Sequence, residues 1–508
     1  MTDWLFRGFS RPSGPLLLLA GYFLLQWLLR INMGSGFELD ESELLLFGQR
    51  LQLGYSASPP LYTWLQIPLL RLFGEGAAAL ALLKNLLLFL SYACCYGIGR
   101  SAGLSVERAG LAALSLILLP QIGWESQRDL TNSVLVTTLS AATLWALLAL
   151  LNGRQSLAQY ALLGLLFGLG VLAKYNFALL VLVATVSLAT LQPRLVWRPA
   201  ALLTLLICGA TLAPFLLWFI DNAALAGSDA HRLETGLASY WGGVLSGLGS
   251  LAISYAAFCA LLLLALLVSF RPWRQPVFSP VAGSRPAAVK FLRRMLWLTP
   301  LLLILIVFLN GGVAYRDRYL LPLLFYIPVV ALLLLPESLF VRGLRSYRRW
   351  LLTAMILIPL GLLARAHLVP LTGKPMKQTY PGQALAQILI RDSGIGDAGA
   401  PAFVIANRSF VGGNLKPHMG DAFVSSAQIH FPLREMMGAR TLPVLLVWEP
   451  HPSGREYEKV KAYLEQQLGP GMQPLSEIGE AVAHHRNAAG PKEVLAWQLW
   501  GDPVAAAK

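Results

Sequence analysis

Runs of about 20 apolar residues recur along the first two-thirds of this 508-residue chain. Each run is long enough to cross the ~30 Å hydrocarbon core of a bilayer. A backbone in lipid must satisfy its own hydrogen bonds, so these runs predict helices. Only 13% of the residues are charged, about half the fraction found in soluble domains. The sequence therefore predicts an all-α polytopic membrane protein.

The apolar runs predict about eleven transmembrane helices. They lie near residues 14–31, 77–98, 106–120, 133–151, 158–173, 176–191, 200–219, 247–270, 295–309, 319–335 and 350–367. With a cytoplasmic N-terminus, the predicted cytoplasmic turns hold about seventeen Lys and Arg against three acids. That excess of about +14 equals the formal net charge of the whole chain, +14, and matches the positive-inside rule. Because these cations lie in short turns between helices, no nucleic-acid partner is predicted.

The composition changes after residue 367, where an odd number of spans would place the chain outside the cytoplasm. The runs "APAFVIANRSFV" (400–411), "LPVLLVWEP" (442–450) and "EVLAWQLW" (493–500) predict strands. The segment "REYEKVKAYLEQQL" (455–468) predicts an exposed helix. Residues 368–508 are therefore predicted to form a soluble extracytoplasmic α/β domain, following a membrane domain over 1–367. His484 and His485 are predicted to lie on its surface rather than bind a metal.

Residues 32–76 form the predicted first extracytoplasmic loop, and its acids need an explanation. Four carboxylates, Glu38, Asp40, Glu41 and Glu43, follow the first span within a few residues. Residues 41–53 mix apolar and polar side chains, which predicts a helix lying in the membrane interface. A second such helix, "LYTWLQIPLLRLF" (61–73), follows the Pro-Pro turn. The acids could cap a helix, or one of them could act as a general base beside a lipid substrate.

The acid pair and the segment "GYSASPPLYTWL" (54–65) resemble a known family, the C-type membrane glycosyltransferases. Its bacterial members are related to protein O-mannosyltransferases and to the lipid A aminoarabinose transferase. The segments "LAKYNFALL" (172–180) and "RYLLPLL" (318–324), the span count and the terminal domain extend the resemblance over residues 1–365. It implies a bacterial inner-membrane enzyme that takes a sugar from polyprenyl (undecaprenyl) phosphate and inverts its anomeric centre. The implied acceptor is a lipid A-like glycolipid, a polysaccharide or a protein of the cell envelope.

The same resemblance assigns roles to residues of the first loop. Asp40 is the implied base that activates the acceptor, and Glu41 is its catalytic neighbour. The implied substrate contacts around the Pro-Pro turn are Tyr55, Ser58, Pro59, Pro60 and Tyr62. Many relatives carry His where this chain has Ser58, so the role of that position is open.

A departing lipid phosphate needs fixed cations near the extracytoplasmic face. The candidates near that face are Lys174, Arg318, Arg128, Lys84 and Arg316. Each has an ordinary alternative: Arg128 could pair with Glu125 or Asp129, Arg316 with Asp317, and Arg318 or Lys84 could reach toward the headgroups. Lys174 is the strongest candidate. It lies in a very short turn between the fifth and sixth predicted spans, and a charged Lys so close to the membrane interior is energetically costly.

An Asp-Glu pair could hold a divalent ion. The Lys and Arg candidates could, however, stabilise the negative charge of the phosphate without a metal. No metal or other cofactor is therefore predicted. Two other functions stay open: a transporter or flippase of a lipid-linked sugar, and a scaffold of an envelope assembly. A transporter would need neither the acid pair nor a soluble terminal domain, and the paired halves of many transporters are not evident in the sequence. In a scaffold, the terminal domain would be the binding module.

Overall fold

The computed structural model describes residues 6–227, 236, 239–274, 279–367, 376–395, 403–429, 431, 433–437, 443–469, 471–485 and 492–501. The chain forms two compact units. The first comprises Met1–Gln26, Ala57–Tyr62 and Lys84–Pro359. The second comprises Trp27–Ser56, Thr63–Leu83 and Leu360–Lys508, so most of the first loop groups with the C-terminal residues, while its Pro-Pro turn belongs to the first unit. The predicted limit at residue 367 coincides with the end of a helix, and residues 368–375 lie outside the described residues.

Long apolar helices make up most of the chain as far as His367. Within the described residues, seven are long and apolar enough to cross a membrane. They are Gly14–Asn32, Ala77–Ser101, Thr131–Leu151, Ala200–Asp221, Tyr240–Phe270, Pro286–Leu309 and Glu337–His367. Two helix pairs pass the same test but bend, by 76° between Val106–Leu118 and Gln121–Arg128 and by 54° between Asp317–Leu324 and Ile327–Leu334. The described residues thus hold up to nine spans, as expected of a multi-pass membrane protein.

Two shorter apolar helices, Leu157–Ala173 and Phe177–Leu191, account for the remaining predicted spans. Every predicted segment therefore coincides with an apolar helix or a bent pair, while the number of spans and their orientation stay predictions. The helix Ala200–Asp221 exposes Leu202, Leu206 and Leu217 by 61%, 70% and 66%. Side chains of this kind would be unfavourable in water, and they are suited to contact with lipid.

The C-terminal part of the chain contains a mixed sheet, as the sequence predicts. Its strands are β1 (Phe403–Ala406), β2 (Phe423–Ser426), β3 (Val444–Trp448), β4 (Gln473–Pro474), β5 (Gly479–His484) and β6 (Lys492–Gly501). β1 pairs in parallel with β2 and β3, and β6 runs antiparallel to β3, β4 and β5. The helices are Gly382–Ser393, Ser409–Leu415, Leu433–Met437 and Arg455–Leu468. Residues 400–402 and 442 of the predicted strands lie outside the described residues. The strand predicted over 400–411 is wrong at its end, because the strand stops at Ala406 and the helix Ser409–Leu415 follows.

The surface position predicted for both histidines is wrong for His485. His484 ends β5 and is exposed, whereas His485 is 4% exposed. Its Nδ1 lies 3.1 Å from the hydroxyl of Thr379, and its Nε2 lies 3.2 Å from the carboxylate of Glu493. The alternation of buried and exposed side chains along β5 explains both positions, because it continues one residue past the strand: Ala483 and His485 face inward and His484 faces outward.

The interface helix predicted over residues 41–53 is also wrong. The helix runs over Leu39–Phe47, and its buried leucines lie in protein: Leu44, Leu45 and Leu46 are 5%, 1% and 0% exposed. Leu46 and Phe47 belong to the hydrophobic core of the second unit, together with the strands of the sheet. The second predicted loop helix does occur, over Leu61–Phe73, with Leu72 75% exposed.

Candidate active site

The helix Leu39–Phe47, termed the acidic helix, places Asp40 and Glu41 in its first turn. It begins after Glu38, which forms a capping box with Glu41. The carboxylate of Glu41 accepts the backbone N–H of Glu38 at 3.1 Å. Free N–H groups at the start of a helix favour acids at these positions. Capping of the helix N-terminus therefore explains why acids occur at positions 38 and 41.

Glu41 is also held by a buried ion pair. Its side chain is 1% exposed, and it accepts a hydrogen bond from Nη2 of Arg30 at 2.8 Å. The same Arg30 guanidinium donates to the carbonyls of Gly36 at 3.0 Å and Gly34 at 3.3 Å. These contacts fix the chain between the first long helix and the acidic helix. Glu41 is thus occupied in holding the loop.

Asp40 occupies a different environment from its neighbour. Successive residues of an α-helix point about 100° apart, so burying Glu41 turns Asp40 toward another side. Asp40 is partly exposed, and Leu39 beside it is 40% exposed. Of the acid pair, Asp40 is therefore the carboxylate that a substrate could reach.

In the first unit, the structure brings Lys174 and Arg318 to one aromatic ring. Lys174 follows the end of the helix Leu157–Ala173, and its Nζ donates to the hydroxyl of Ser133 at 2.7 Å. Its Nζ lies 5.8 Å from the ring centroid of Tyr319, and Cζ of Arg318 lies 5.6 Å from that centroid. The side-chain amide of Asn176 donates to the backbone carbonyl of Tyr319 at 3.0 Å. Both distances lie in the range of cation–π attraction, so this cluster concentrates positive charge at one place.

The other predicted cations have different surroundings. Nη1 of Arg128 lies 3.0 Å from each carboxylate oxygen of Glu125. Arg128 thus pairs with Glu125, the alternative to a phosphate contact given above. Lys84 is 2% exposed within the helix Ala77–Ser101. Arg316 is exposed. Asp317 accepts from the backbone N–H of Arg318 at 2.7 Å and from the side-chain amide of Gln121 at 2.5 Å.

The predicted contacts around the Pro-Pro turn are mostly inside the protein. Tyr55 is 3% exposed, packs on Phe47 with ring centroids 5.2 Å apart, and donates to the carbonyl of Arg50 at 3.0 Å. Burial raises the pKa of the Tyr55 phenol. Pro59, Pro60 and Tyr62 are buried, and Ser58 is half-buried. The helix Leu61–Phe73 begins directly after Pro60.

Sequence reasoning missed three residues that shape the site. Arg30 was counted only as part of the first span, although a cation in the last turn followed by four acids is a signal for an ion pair. Ser133 and Tyr319 carried no such signal, because their role depends on contacts between distant helices. Within the described residues, no group of three or more His, Cys, Asp or Glu is placed to hold a metal ion.

Comparison with known proteins identifies the class to which this fold and site belong. A family model described as dolichyl-phosphate-mannose-protein mannosyltransferase matches residues 57–218. The lipopolysaccharide core galacturonosyltransferase RgtB of Rhizobium johnstonii is 32% identical over 443 residues, covering 85% of this chain and 86% of the relative. RgtA of the same organism is 33% identical over 444 residues, with the same coverage of each chain.

A solved structure shares the architecture. The crystal structure of ArnT from Cupriavidus metallidurans bound to undecaprenyl phosphate matches with a TM-score of 0.59 at 14% identity, covering 95% of this chain and 98% of that chain. This likeness establishes a shared fold. The protein is a multi-pass membrane glycosyltransferase, as the resemblance in the first loop predicts. It belongs to the C-type glycosyltransferase family that includes the lipopolysaccharide core galacturonosyltransferases.

Proposed function

We propose that the protein transfers a galacturonosyl residue from a polyprenyl phosphate to a hydroxyl of the lipopolysaccharide core. The observation that carries this proposal is the identity of 32% and 33% to RgtB and RgtA across 85% of the chain. The family model over residues 57–218, whose description names dolichyl-phosphate-mannose, supports a lipid-phosphate donor. The reaction takes place at the outer face of the inner membrane, with undecaprenyl phosphate as the carrier.

Asp40 is the proposed general base. Its carboxylate takes the proton of the acceptor hydroxyl while that oxygen forms a bond to the anomeric carbon. The bond between the anomeric carbon and the phosphate oxygen breaks, and its electron pair leaves with the lipid phosphate. Attack opposite the leaving group inverts the anomeric centre. The partial exposure of Asp40, in contrast to the buried Glu41, supports this assignment.

Lys174 and Arg318 are the proposed phosphate contacts. Negative charge grows on the phosphate as the glycosidic bond breaks, and cations fixed before the reaction stabilise it best. Ser133 and the Tyr319 ring hold these two cations in place. Arg128 is a weaker candidate because Glu125 balances its charge, and Lys84 and Arg316 remain secondary candidates.

The test is transfer by purified protein in detergent. The donor is synthetic polyprenyl-phosphate galacturonic acid, and the acceptor is lipopolysaccharide from a strain that lacks the gene. Mass spectrometry should show one added hexuronic acid residue per acceptor and an equal amount of released lipid phosphate. The matched donor carrying mannose should give much less product. Absence of product in detergent, together with donor movement across proteoliposome bilayers, would instead indicate a transporter.

A further inference from the structure

The backbone of the acidic helix rests directly on the helix Ser409–Leu415, termed the cradle helix. A Cβ added to Gly413 of the cradle helix would lie 2.2 Å from the carbonyl oxygen of Ser42 and 2.5 Å from its Cα. Real Cβ atoms do not approach other atoms so closely, so only glycine fits at position 413. Ser42 is two residues after Asp40. The helix that carries the proposed base is thus in close backbone contact, through Ser42, with Gly413, which lies 371 positions further along the chain (413 minus 42).

Asn414, the next residue of the cradle helix, holds the acidic helix from two sides. Its Oδ1 accepts the backbone N–H of Phe37 at 2.8 Å, and its Nδ2 donates to the hydroxyl of Ser42 at 3.0 Å. The side chain is 1% exposed. Because Phe37 precedes Asp40 and Ser42 follows it, these bonds fix the chain on both sides of the carboxylate.

Further contacts of the C-terminal residues hold the two ends of the same segment. Glu38 accepts from Nε2 of Gln378 at 2.8 Å and pairs with Nζ of Lys377 at 3.1 Å. Beyond the helix, the side chain of Gln49 bonds to both backbone groups of Val424 in β2, at 2.7 and 3.0 Å. These bonds are partly buried, and breaking them would leave the polar groups on their shielded side without partners. The acidic helix is therefore held before its start, along its length and after its end.

From these contacts we infer that the C-terminal domain sets the position of the Asp40 carboxylate, with Gly413 and Asn414 as positioning residues. The inference rests on the proposed role of Asp40 as the base. A base must lie within hydrogen-bond reach of its proton, and a displacement of about 1 Å can lower a rate by about 100-fold. Gly413 and Asn414 are themselves buried, so they act on catalysis through the acidic helix.

Two variants test the inference, each with a matched control. Gly413→Ala inserts a methyl group between the helices, whereas Gly412→Ala adds the same methyl group to the same helix where its nearest neighbours are 3.3 Å away. Asn414→Ala removes the bonds to Phe37 and Ser42, together with one to the carbonyl of Phe410 in its own helix. Asn407→Ala is the matched control, because Asn407 is a similarly buried Asn of the same domain. Its Nδ2 donates to the carboxylate of Glu456, away from the acidic helix.

The measurements are kcat, KM for the lipid donor and Tm of each variant. Gly413→Ala and Asn414→Ala should lower kcat by about 10- to 100-fold while KM for the donor stays within about twofold, since both residues are buried. The controls should lose no more than a few degrees of Tm, as usual for mild substitutions, and keep their kcat. Asn414→Asp keeps the acceptor for Phe37 and loses the donor to Ser42, so its kcat should be intermediate; it serves if Gly413→Ala does not fold.

A purely structural role predicts a different pattern: Tm falls, and kcat measured below Tm equals that of the controls. That result would overturn the inference. Combining Asn414→Ala with Asp40→Asn separates this outcome from failure of the proposed function. If Asp40→Asn alone keeps full activity, the proposed base is wrong. If Asp40→Asn is impaired, Asn414→Ala should lower kcat little further in that background, and a full additional loss would contradict positioning through Asp40.

Discussion

The guanidinium of Arg30 donates to the carboxylate of Glu41 at 2.8 Å, and both side chains are shielded from solvent. This pair links the end of the helix Gly14–Asn32 to the first turn of the acidic helix. A buried charge needs a partner, and removal of one member leaves the other uncompensated. The two neighbouring acids therefore differ in environment: Glu41 is buried in this ion pair, whereas Asp40, the proposed base, is partly exposed.

Glu41→Gln should reduce stability more than it reduces chemistry. The variant keeps the shape of the side chain but leaves the Arg30 cation buried without its anion, at a cost of about 3–5 kcal/mol. Thermal unfolding in detergent should show a clear fall in Tm. The double variant Arg30→Gln/Glu41→Gln removes both charges and should recover most of the loss. An unchanged Tm in Glu41→Gln would show that the ion pair does not hold the loop.

Lys174→Met should raise KM for the lipid donor strongly, because it keeps the apolar stem and removes only the ammonium group. Lys174→Arg should retain part of the affinity, since guanidinium also binds phosphate. Lys290→Met is the control: it makes the same change at an exposed position in the helix Pro286–Leu309. Donor titrations and Tm values of the three variants distinguish a phosphate-binding role of Lys174 from a structural one. If Lys174→Met binds donor normally and gains stability, the lysine is structural and Arg318 is the remaining strong candidate.

The orientation follows from the charge of the turns and can be checked directly. A reporter fused after Lys508 should be active only outside the cytoplasm. The same reporter, of a kind that is active only outside the cytoplasm, should be inactive when inserted after Ser279, in a turn predicted to be cytoplasmic. A cytoplasmic C-terminus would mean that the number of spans is even, and the proposed side of the reaction would change.

The sequence predicts elements well where a local pattern decides them. The helix Arg455–Leu468 has the predicted limits, because apolar residues three and four apart and charges on the other face define it locally. The strands Val444–Trp448 and Lys492–Gly501 likewise follow from short apolar runs between breakers. The likeness to C-type glycosyltransferases was also readable from the acid pair and the Pro-Pro turn.

The rest could not be predicted because it depends on contacts between distant segments. Leu44, Leu45 and Leu46 are consecutive, so they cover more than one face of a helix, and the hydropathy pattern does not distinguish burial in lipid from burial in protein. The contact of Gly413 with Ser42 has no local sign in either segment. The sequence identifies Lys174 and Arg318 as candidates. It does not indicate that both lie near the ring of Tyr319.

The measurement that tests the central claim most directly is kcat of Asp40→Asn with an intact lipid donor. Asn keeps the size of the side chain and cannot take the proton of the acceptor. Because Asp40 is partly exposed, Tm should stay close to that of the unchanged protein and donor binding should persist. The proposed role as general base predicts a fall in kcat of roughly 10²–10⁴-fold. Full transfer activity in Asp40→Asn, with the donor bound as in the unchanged protein, would contradict it.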